Sequence, residues 1–362
     1  MGGDRAQEQR VSTSSNESVE WARLGGAQVS DHVPALNLPC SQLGGRIMDW
    51  NFDALEVDFE TGGNSLVWVT GEVFRYNESI IEARVANVFL EIFAKAQSGY
   101  NATALARQTI RPMYHNQIHG ADVCQATHYL VQKSDLLNRI PYTSQLYGKS
   151  DILLYAIVFA SAMHDFDHFG VSNEFLIRHK DPLAILYNDK SVMENHHTAS
   201  AFTLIQGTDL GLSRDNFKIF RHVVIELILS TDMHHHYELM SHGVPNPETD
   251  FMHCLKMALH CADVSSGARP LDICIKWTKL IMNEFFHQGD LERSLCPTAT
   301  LPPMFDRKVA NVGKIQSSFY DVIVRPLFVN FEILCGNTSF SQTLDDNRQW
   351  WLSRSNDDWF NV

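Results

Sequence analysis

The sequence lacks closely spaced cysteine pairs. Its seven cysteines include no C-x-x-C motif, and their odd number cannot form a complete set of internal disulfides. Cys254 and Cys261 stand inside an apolar helical pattern, "FMHCLKMALHCADV". Single thiols of this kind are typical of proteins from a reducing compartment. We therefore expect reduced thiols, no disulfide framework and a cytoplasmic location.

The chain also lacks an excess of basic residues and a long apolar run. Its net charge is −13 and its sequence pI is about 5.7, whereas nucleic acids and acidic membranes attract basic proteins. The longest apolar stretch, at 152–163, is too short to span a bilayer. We expect no nucleic-acid partner and no transmembrane segment. An acidic protein of this kind needs a local positive charge, such as metal ions, to bind a phosphate ester.

Strand-like alternation and internal repeats are almost absent. Only "NSLVWVTGEVF" at 64–74 alternates, while segments such as "ESIIEARVANVFLEIFAKAQ" repeat apolar residues at helical spacing. Residues 1–45 are rich in Ser, Gly, Gln and Asn, which predicts a poorly ordered arm or linker. Residues 46–362 predict one compact all-α domain of many helices.

The histidines, in contrast, are many and clustered. In "YHNQIHGADV", His115 and His119 are four residues apart, so a helix would place both on one face. The spacing alone leaves three interpretations open. Both histidines bind one metal ion, or one binds metal and the other donates a proton, or both are core residues with satisfied hydrogen bonds.

Three further clusters of polar residues follow apolar segments. They are "HDFDHFGVSNEF", "ENHH" and "CADVS". A carboxylate or imidazole at the end of a buried helix is costly unless it is paired or bound to metal. Each residue alone is most often structural, but the conjunction predicts a metal site. Imidazoles and carboxylates without thiolates suit Zn²⁺ together with a harder ion such as Mg²⁺ or Mn²⁺.

The run "TDMHHHYELM" has a different interpretation. Adjacent positions on a helix point about 100° apart, so His234, His235 and His236 cannot converge on one ion. We predict that these three histidines face solvent at a helix end or loop. Thr231 and Asp232, just before them, are better functional candidates.

Several motifs resemble, in order, those of the class I cyclic nucleotide phosphodiesterases. They are "YHNQIHGADV", "HDFDHFGVSNEFLI", "YNDKSVMENHH", "CADVS", "KWTKLIMNEFFHQGD" and "GKIQSSFYDVIVRPLF". The H-D-x2-H-x-G-x2-N signature in the second motif is highly specific. Details such as "FFHQGDLER" resemble the eukaryotic enzymes, including those of parasitic protists, more than bacterial HD hydrolases. The resemblance implies an HD-type catalytic domain over 46–362 and an upstream regulatory domain.

The resemblance also assigns roles to individual residues. His115 would donate a proton to the leaving 3′ oxygen of the substrate. The tight metal ion would be held by His119, His164, Asp165 and Asp263, with Asp165 also touching a second ion. Waters on the second ion would be oriented by His168, Glu194 and Thr231. The implied reaction is attack by a hydroxide that bridges Zn²⁺ and Mg²⁺ (or Mn²⁺), and it yields a nucleoside 5′-monophosphate.

The implied base pocket consists of an apolar clamp and one amide. The clamp would be Ile281 and Phe319 and the amide Gln316, with Tyr114 and Ser266 as further substrate-binding residues. An amide can present either a donor or an acceptor edge, which would allow one residue to bind cAMP and cGMP.

Three positions depart from the family pattern. Ser266 stands where cAMP-selective members often have asparagine, Gly120 replaces a usual alanine, and Phe169 replaces a usual proline. Serine is shorter and cannot make the same bidentate contact. This favours hydrolysis of both cAMP and cGMP, with strict cAMP selectivity as the alternative.

Two other functions stay open at this point. One is an HD-type phosphohydrolase that acts on other nucleotides, against which the clamp and glutamine argue. The other is a catalytically inactive nucleotide-binding or scaffold module, against which the complete set of metal ligands argues.

Overall fold

The computed structural model describes residues 45–106, 112–146, 148–336 and 339–354, which form helices joined by loops. The α-helices are α1 (Ala54–Glu60), α2 (Ser65–Tyr76), α3 (Ala83–Gly99), α4 (Ala102–Ala106), α5 (Gln117–Lys133), α6 (Ser150–Met163), α7 (Asn173–Arg178), α8 (Pro182–Leu186), α9 (Val192–Leu204), α10 (Arg214–Leu229), α11 (His236–Ser241), α12 (Phe251–Asp263), α13 (Leu271–Leu295), α14 (Val312–Phe319), α15 (Arg325–Cys335) and α16 (Ser341–Leu352). Short 3₁₀ turns occur at Arg46–Met48, Leu136–Arg139, Met233–His235, Ser265–Ala268 and Pro303–Phe305. These ranges contain no β-strand, so the predicted all-α fold is confirmed. The predicted arm at 1–45 lies, apart from its last residue, outside the described residues.

The segment with the strand-like pattern is helical. It forms most of α2, which packs against both α3 and α5 and is buried from Ser65 to Thr70. A helix with two neighbours buries more than one stripe, so polar and apolar residues are buried together. Thr70 fits because its hydroxyl donates to the carbonyl of Leu66 at 2.8 Å. The alternation at 64–74 therefore does not mark a strand.

The apolar run at 152–163 is the central helix of the core. It forms α6, which is buried from Ile152 to Met163 and packs against α5 and α10. A helix that is apolar on all sides is stable only when other helices surround it. Because α6 ends at Met163, His164 and Asp165 follow directly at the inner end of the core.

Helix α5 approaches α6 closely at Gly120. A Cβ atom at this position would lie 2.7 Å from the hydroxyl oxygen of Tyr100 and 2.8 Å from the carbonyl oxygen of Ala162. The Tyr100 hydroxyl itself donates to that carbonyl at 3.2 Å. Tyr100 and the Ala162 carbonyl therefore occupy the space that a Cβ atom at position 120 would need.

The histidine run lies beyond the end of a long apolar helix. Helix α10 stops at Leu229, and Asp232 begins a new turn by accepting the N–H of His234 at 2.9 Å. His234 and His235 reach solvent, but His236 is 1% exposed, so the solvent-facing prediction is wrong for that residue. Its Nδ1 lies 3.0 Å from Nε2 of buried His260. This pairing lets His236 turn inward as the first residue of α11.

Helices α14 and α15 are nearly continuous. A π-helical turn at Tyr320–Val324 joins α14 to α15. Pro326 follows this turn and cannot donate to a helical carbonyl. A π-turn just before Pro326 accommodates the missing hydrogen bond without ending the helix. Gln316 and Phe319 therefore stand on one rigid element.

A buried arginine fixes the turn after Asp263. The guanidinium of Arg269 is fully buried, lies 3.2 Å from the Asp122 carboxylate and donates to the backbone carbonyl of Trp50 at 2.6 Å. Removing one partner of such a pair leaves a buried charge uncompensated. The pair therefore links α5 to the chain that leaves α12.

The cysteines within the described ranges are free thiols, and Cys124, Cys254, Cys261 and Cys274 are buried. This agrees with the predicted reduced core thiols, while Cys40 lies outside these ranges. None of the described helices combines the length and apolarity required to cross a membrane.

Candidate active site

Four side chains from three helices meet at the inner ends of the core helices. His119 lies in the first turn of α5, His164 and Asp165 follow α6, and Asp263 ends α12. Their potential ligand atoms all lie within 4.8 Å of one another. Nε2 of His119 is 3.1 Å from an Asp263 oxygen, and Nε2 of His164 is 3.1 Å from an Asp165 oxygen. The structure therefore brings together the four residues predicted as ligands.

The atoms of this metal-ligand cluster suit a divalent cation. Nε2 of His164 and Oδ2 of Asp165 are both buried. They lie 3.1 Å apart but lack the geometry of a hydrogen bond, and neither has another hydrogen-bond partner. Nδ1 of His164 lies 2.9 Å from the carbonyl of Ser161, and a bond to that carbonyl makes Nδ1 the protonated nitrogen. Its Nε2 then carries the lone pair, which is the common arrangement for a metal-binding histidine. Two imidazoles and two carboxylates around one point fit a zinc-type site.

The electrostatics of the cluster favour positive charge. Burial would lower the pKa of His164, but Asp165 and Asp263 outweigh it and hold that pKa well above its ordinary value. Burial would raise the pKa of Asp165, but His164 and then His115 hold it well below its ordinary value. Burial would raise the pKa of Asp263 as well, but His164 lowers it. Both carboxylates are therefore ionised at neutral pH, and they stabilise a positive charge here, either the proton on His164 or a metal ion that takes its place.

His115 is separate from this cluster and pairs with Glu284. Nδ1 of its ring contacts a carboxylate oxygen of Glu284, which extends from α13 and is 2% exposed. Burial would lower the pKa of His115, but Glu284 and then Asp165 raise it to about 9. The ligand atoms of His115 lie with those of His168 and Glu284, not with those of the four-residue cluster that contains His119. This arrangement favours unequal roles for the two histidines.

His168 packs between the two groups. Its ring stacks on His115 at 4.1 Å, and its Nδ1 accepts the N–H of Gly170 at 2.9 Å. Burial, followed by the charge of His115, holds the pKa of His168 well below its ordinary value. Asp167 just before it has a φ of 65°, a left-handed conformation that turns the chain sharply between Asp165 and His168. The ring of His168 is therefore a neutral neighbour of both groups.

Glu194 and Thr231 line the same pocket from two further elements. Glu194, on α9, accepts from the Asn173 side chain at 2.9 Å. Burial, and then the charge of Asp232, raises the pKa of Glu194 to about 7. Thr231 is buried and follows α10. Their positions are consistent with orienting water in the pocket.

The pocket has a volume of about 640 Å³, and its walls join these polar groups to apolar ones. Ile281, Glu284, Phe285 and Gln288 line it from one face of α13. Met304 and Phe305 close the apolar end. Polar walls that attract a cation, beside apolar walls, suit a ligand with an anionic group held through that cation and a flat ring.

The other predicted substrate-binding residues do not line this pocket. Gln316 is 9% exposed on α14, and Phe319 is half-buried at its end. Ser266 lies in the turn after Asp263. Tyr114 is buried against His119, with ring centroids 4.4 Å apart. Their contact with substrate stays a prediction.

Sequence reasoning missed two residues of this site. Glu284 is a single carboxylate within "LIMNEFFH", and an acid among apolar helical residues was the available signal. His197 was noted only as part of "ENHH", yet its Nδ1 lies 2.7 Å from the carbonyl of Phe166 and its Nε2 lies 3.7 Å from Asp165. Nothing in the sequence distinguishes it from its neighbour His196.

Comparison with known proteins identifies the family. Residues 114–346 match the family described as 3′5′-cyclic nucleotide phosphodiesterase. The chain belongs to this family. The matched range includes every residue predicted for the metal cluster, the acid and the base pocket. The expected class I phosphodiesterase catalytic domain is confirmed.

The chain is similar to two mammalian phosphodiesterases over most of its length. The chain is 35% identical over 326 residues to rat 3′,5′-cyclic-AMP phosphodiesterase 4C, covering 84% of this chain and 58% of the relative. It is 33% identical over 289 residues to human dual specificity calcium/calmodulin-dependent 3′,5′-cyclic nucleotide phosphodiesterase 1C, covering 77% and 38%. The chain thus spans between about two fifths and three fifths of these relatives.

The fold also matches a solved phosphodiesterase domain. This is the phosphodiesterase domain of the RhoPDE fusion protein from the choanoflagellate Salpingoeca rosetta, with a TM-score of 0.71 and 25% identity. The match covers 86% of this chain and 96% of that structure. None of these three relatives comes from a parasitic protist, so that part of the expectation has no support.

Proposed function

We propose that this chain hydrolyses 3′,5′-cyclic nucleotides to nucleoside 5′-monophosphates. The observation that supports this most directly is the placement of two groups at one pocket. The cluster of His119, His164, Asp165 and Asp263 has unsatisfied buried ligand atoms, and the His115–Glu284 pair lies beside it. With metal bound, the four-residue cluster suits an anionic phosphodiester. The His115–Glu284 pair suits proton donation.

The metal-ligand cluster would hold one Zn²⁺ ion, and Asp165 would also contact a Mg²⁺ or Mn²⁺ ion. His168, Glu194 and Thr231 would orient the waters that surround the second ion. A pair of bound divalent ions supplies Lewis acidity at the phosphate and an activated water for hydrolysis. The two ionised carboxylates, Asp165 and Asp263, would offset part of the charge of the bound ions, and the site would retain the remaining positive charge.

His115 would act as the general acid. Its Nδ1 contacts Glu284, which leaves Nε2 as the nitrogen that donates. The raised pKa of His115 keeps the ring protonated at neutral pH. A positioned acid of this kind contributes about 10²- to 10⁴-fold to a reaction whose leaving oxygen must be protonated. Glu284 therefore fixes both the charge and the orientation of the ring.

The base would bind at the apolar end of the pocket. Ile281 lines that end, and we place Phe319 and Gln316 beside it on the basis of family resemblance. Tyr114 would support the site from beneath His119. Ser266 favours hydrolysis of both cAMP and cGMP, since it cannot form the contact of an asparagine. One relative is named for cyclic AMP and another for dual specificity, so relatives of both kinds exist.

One assay series tests this function. Release of AMP from cAMP, and of GMP from cGMP, is measured with and without a chelator, and added metal should restore the activity. An HD-type phosphohydrolase would hydrolyse other nucleotides but neither cyclic one. A catalytically inactive module would bind cyclic nucleotide and release no product. The upstream regulatory domain and the cytoplasmic location stay predictions.

A further inference from the structure

One side-chain amide connects His115 to the loop that carries His168. Nδ2 of Asn101 lies 2.9 Å from the carbonyl oxygen of His115 and 3.1 Å from the carbonyl oxygen of His168. Both partners are carbonyl oxygens, which only accept, so the amide nitrogen faces them and donates to both. Asn101 does not line the pocket, and it precedes the residues that match the family, 114–346.

The two carbonyls belong to residues whose rings stack. The rings of His115 and His168 are 4.1 Å apart, with 21° between their planes. His168 ends the short segment that begins with the predicted metal ligands His164 and Asp165. The amide group is planar and rigid, so its two hydrogen bonds set how far the backbone of His115 lies from this segment.

Asn101 acts on the opposite side of His115 from Glu284. The backbone N–H of His115 donates to Glu284 at 3.2 Å, and the backbone carbonyl accepts from Asn101. Side chains from two elements therefore hold both backbone polar groups of His115. Glu284 also orients the ring, whereas Asn101 also bonds to the backbone of His168.

The residues on either side of Asn101 anchor it to the turn at Asp167. The carbonyl of Tyr100 accepts the N–H of Asp167 at 2.7 Å. Thr103 donates its backbone N–H at 2.9 Å and its hydroxyl at 2.6 Å to the Asp167 carboxylate. Asp167 has the left-handed φ of 65° that turns the chain toward His168. The amide of Asn101 is therefore fixed relative to this turn, and it holds His115 in register with it.

We propose that Asn101 is a positioning residue for hydrolysis, whose amide sets the distance between His115 and the metal-ligand cluster. The inference rests on the proposed function, in which His115 protonates the leaving oxygen. A general acid must lie within hydrogen-bond reach of that oxygen, and a displacement of about 1 Å can cost about 10²-fold in rate. Asn101 acts through His115 and not by contact with substrate.

Turnover of cAMP by the metal-loaded chain tests this role. Asn101→Ala removes both donors, so kcat should fall by about 10- to 100-fold, with a smaller change in KM and the metal content of the wild type. Asn101→Asp keeps the shape of the side chain but not its donors and should show the same loss. The control, Asn64→Ala, removes an amide that donates to the carbonyls of Thr61 and Gly62 outside the pocket, and it should keep the wild-type kcat.

A double-mutant cycle separates positioning of His115 from a general loss of structure. In the His115→Ala background there is no acid left to position, so adding Asn101→Ala should lower the rate by no more than about twofold. A residue that acts on the rest of the site would cause the same loss in both backgrounds.

The inference is overturned if both Asn101 variants keep the wild-type kcat, or if the loss is equal in the two backgrounds. Loss of bound metal or of folded protein in both variants would show a structural role and would overturn it as well. In each of these cases the wild type still hydrolyses cyclic nucleotide, and the proposed function stands. A wild type that releases neither AMP from cAMP nor GMP from cGMP overturns the proposed function and this inference with it.

Discussion

The carboxylate of Glu284 holds both the ring and the backbone of His115. One carboxylate oxygen contacts Nδ1 of the ring, and the other accepts the backbone N–H groups of Tyr114 at 2.8 Å and His115 at 3.2 Å. Burial would raise the pKa of Glu284, but His115 lowers it to about 2. Glu284 therefore stays ionised and keeps the imidazole protonated in one orientation.

Replacement of Glu284 by Gln should shift the pH dependence of activity. A general acid works only when protonated, so activity falls as the pH rises through the pKa of His115, about 9 in the intact site. Without the carboxylate, the remaining burial lowers that pKa. We expect the alkaline limb of the kcat/KM profile to move to lower pH by about one unit or more.

The matched control is Glu174→Gln, which removes an exposed carboxylate from the same pocket. Its alkaline limb should stay within a few tenths of a pH unit of the wild type. An alkaline limb unchanged in Glu284→Gln would show that Glu284 does not set the protonation of His115.

Metal binding and proton donation should separate by mutation. Asp263→Ala removes a predicted metal ligand whose carboxylate contacts both His119 and His164, so metal content and activity should fall together. His115→Ala should retain its metal and lose rate by about 10²- to 10⁴-fold, the range for general acid catalysis. Metal content and turnover of cAMP are measured on the same samples. An empty metal site in His115→Ala would mean that the assigned division of roles is wrong.

Nucleotide preference tests the role of Ser266. We expect the kcat/KM values for cAMP and cGMP to agree within about a thousandfold, because no asparagine is present to reject one base. Ser266→Asn should favour cAMP by about tenfold, the effect of roughly 1.4 kcal/mol. A larger wild-type ratio would favour the strictly cAMP-selective alternative.

The sequence predicts the metal cluster better than the groups around it. His164, Asp165 and Asp263 directly follow buried segments, and polar groups there are costly without a ligand, so local pattern indicates them. The His115–Glu284 contact joins residues 169 positions apart, and nothing local to either predicts it. His236 was predicted to face solvent because its partner, His260, lies 24 positions away and nothing local to His236 indicates the contact.

Family resemblance supplied what periodicity could not. Gln316 on its own would be interpreted as a solvent-facing glutamine, yet it is 9% exposed. The alternating stretch at 64–74 is helical, because alternation in sequence does not report how many neighbours a helix has. Tertiary packing decides burial in both cases, and this packing cannot be inferred from a single sequence.

Gly289 on α13 allows a close approach that shapes the pocket. A Cβ atom there would lie 1.8 Å from the carbonyl oxygen of Phe305 and 2.8 Å from its carbonyl carbon. Phe305 and Met304 line the apolar end of the pocket. Gly289→Ala would therefore displace the turn at Pro303–Phe305. We expect a raised KM with a smaller change in kcat, because the displaced residues line the pocket and would contact substrate away from the metal cluster.

Stability measurements distinguish this clash from a general effect of alanine. In an unhindered helix, Gly→Ala stabilises by about 0.5–1 kcal/mol, whereas overpacking costs about 1–3 kcal/mol. Gly71→Ala is the control, since its Cβ would meet only a Leu90 methyl group at 3.6 Å. Urea unfolding should show a loss for Gly289→Ala and none for Gly71→Ala. An unchanged KM and an unchanged urea midpoint in Gly289→Ala would mean that the turn at Pro303–Phe305 can move without a loss of stability. The turn would then not position the substrate.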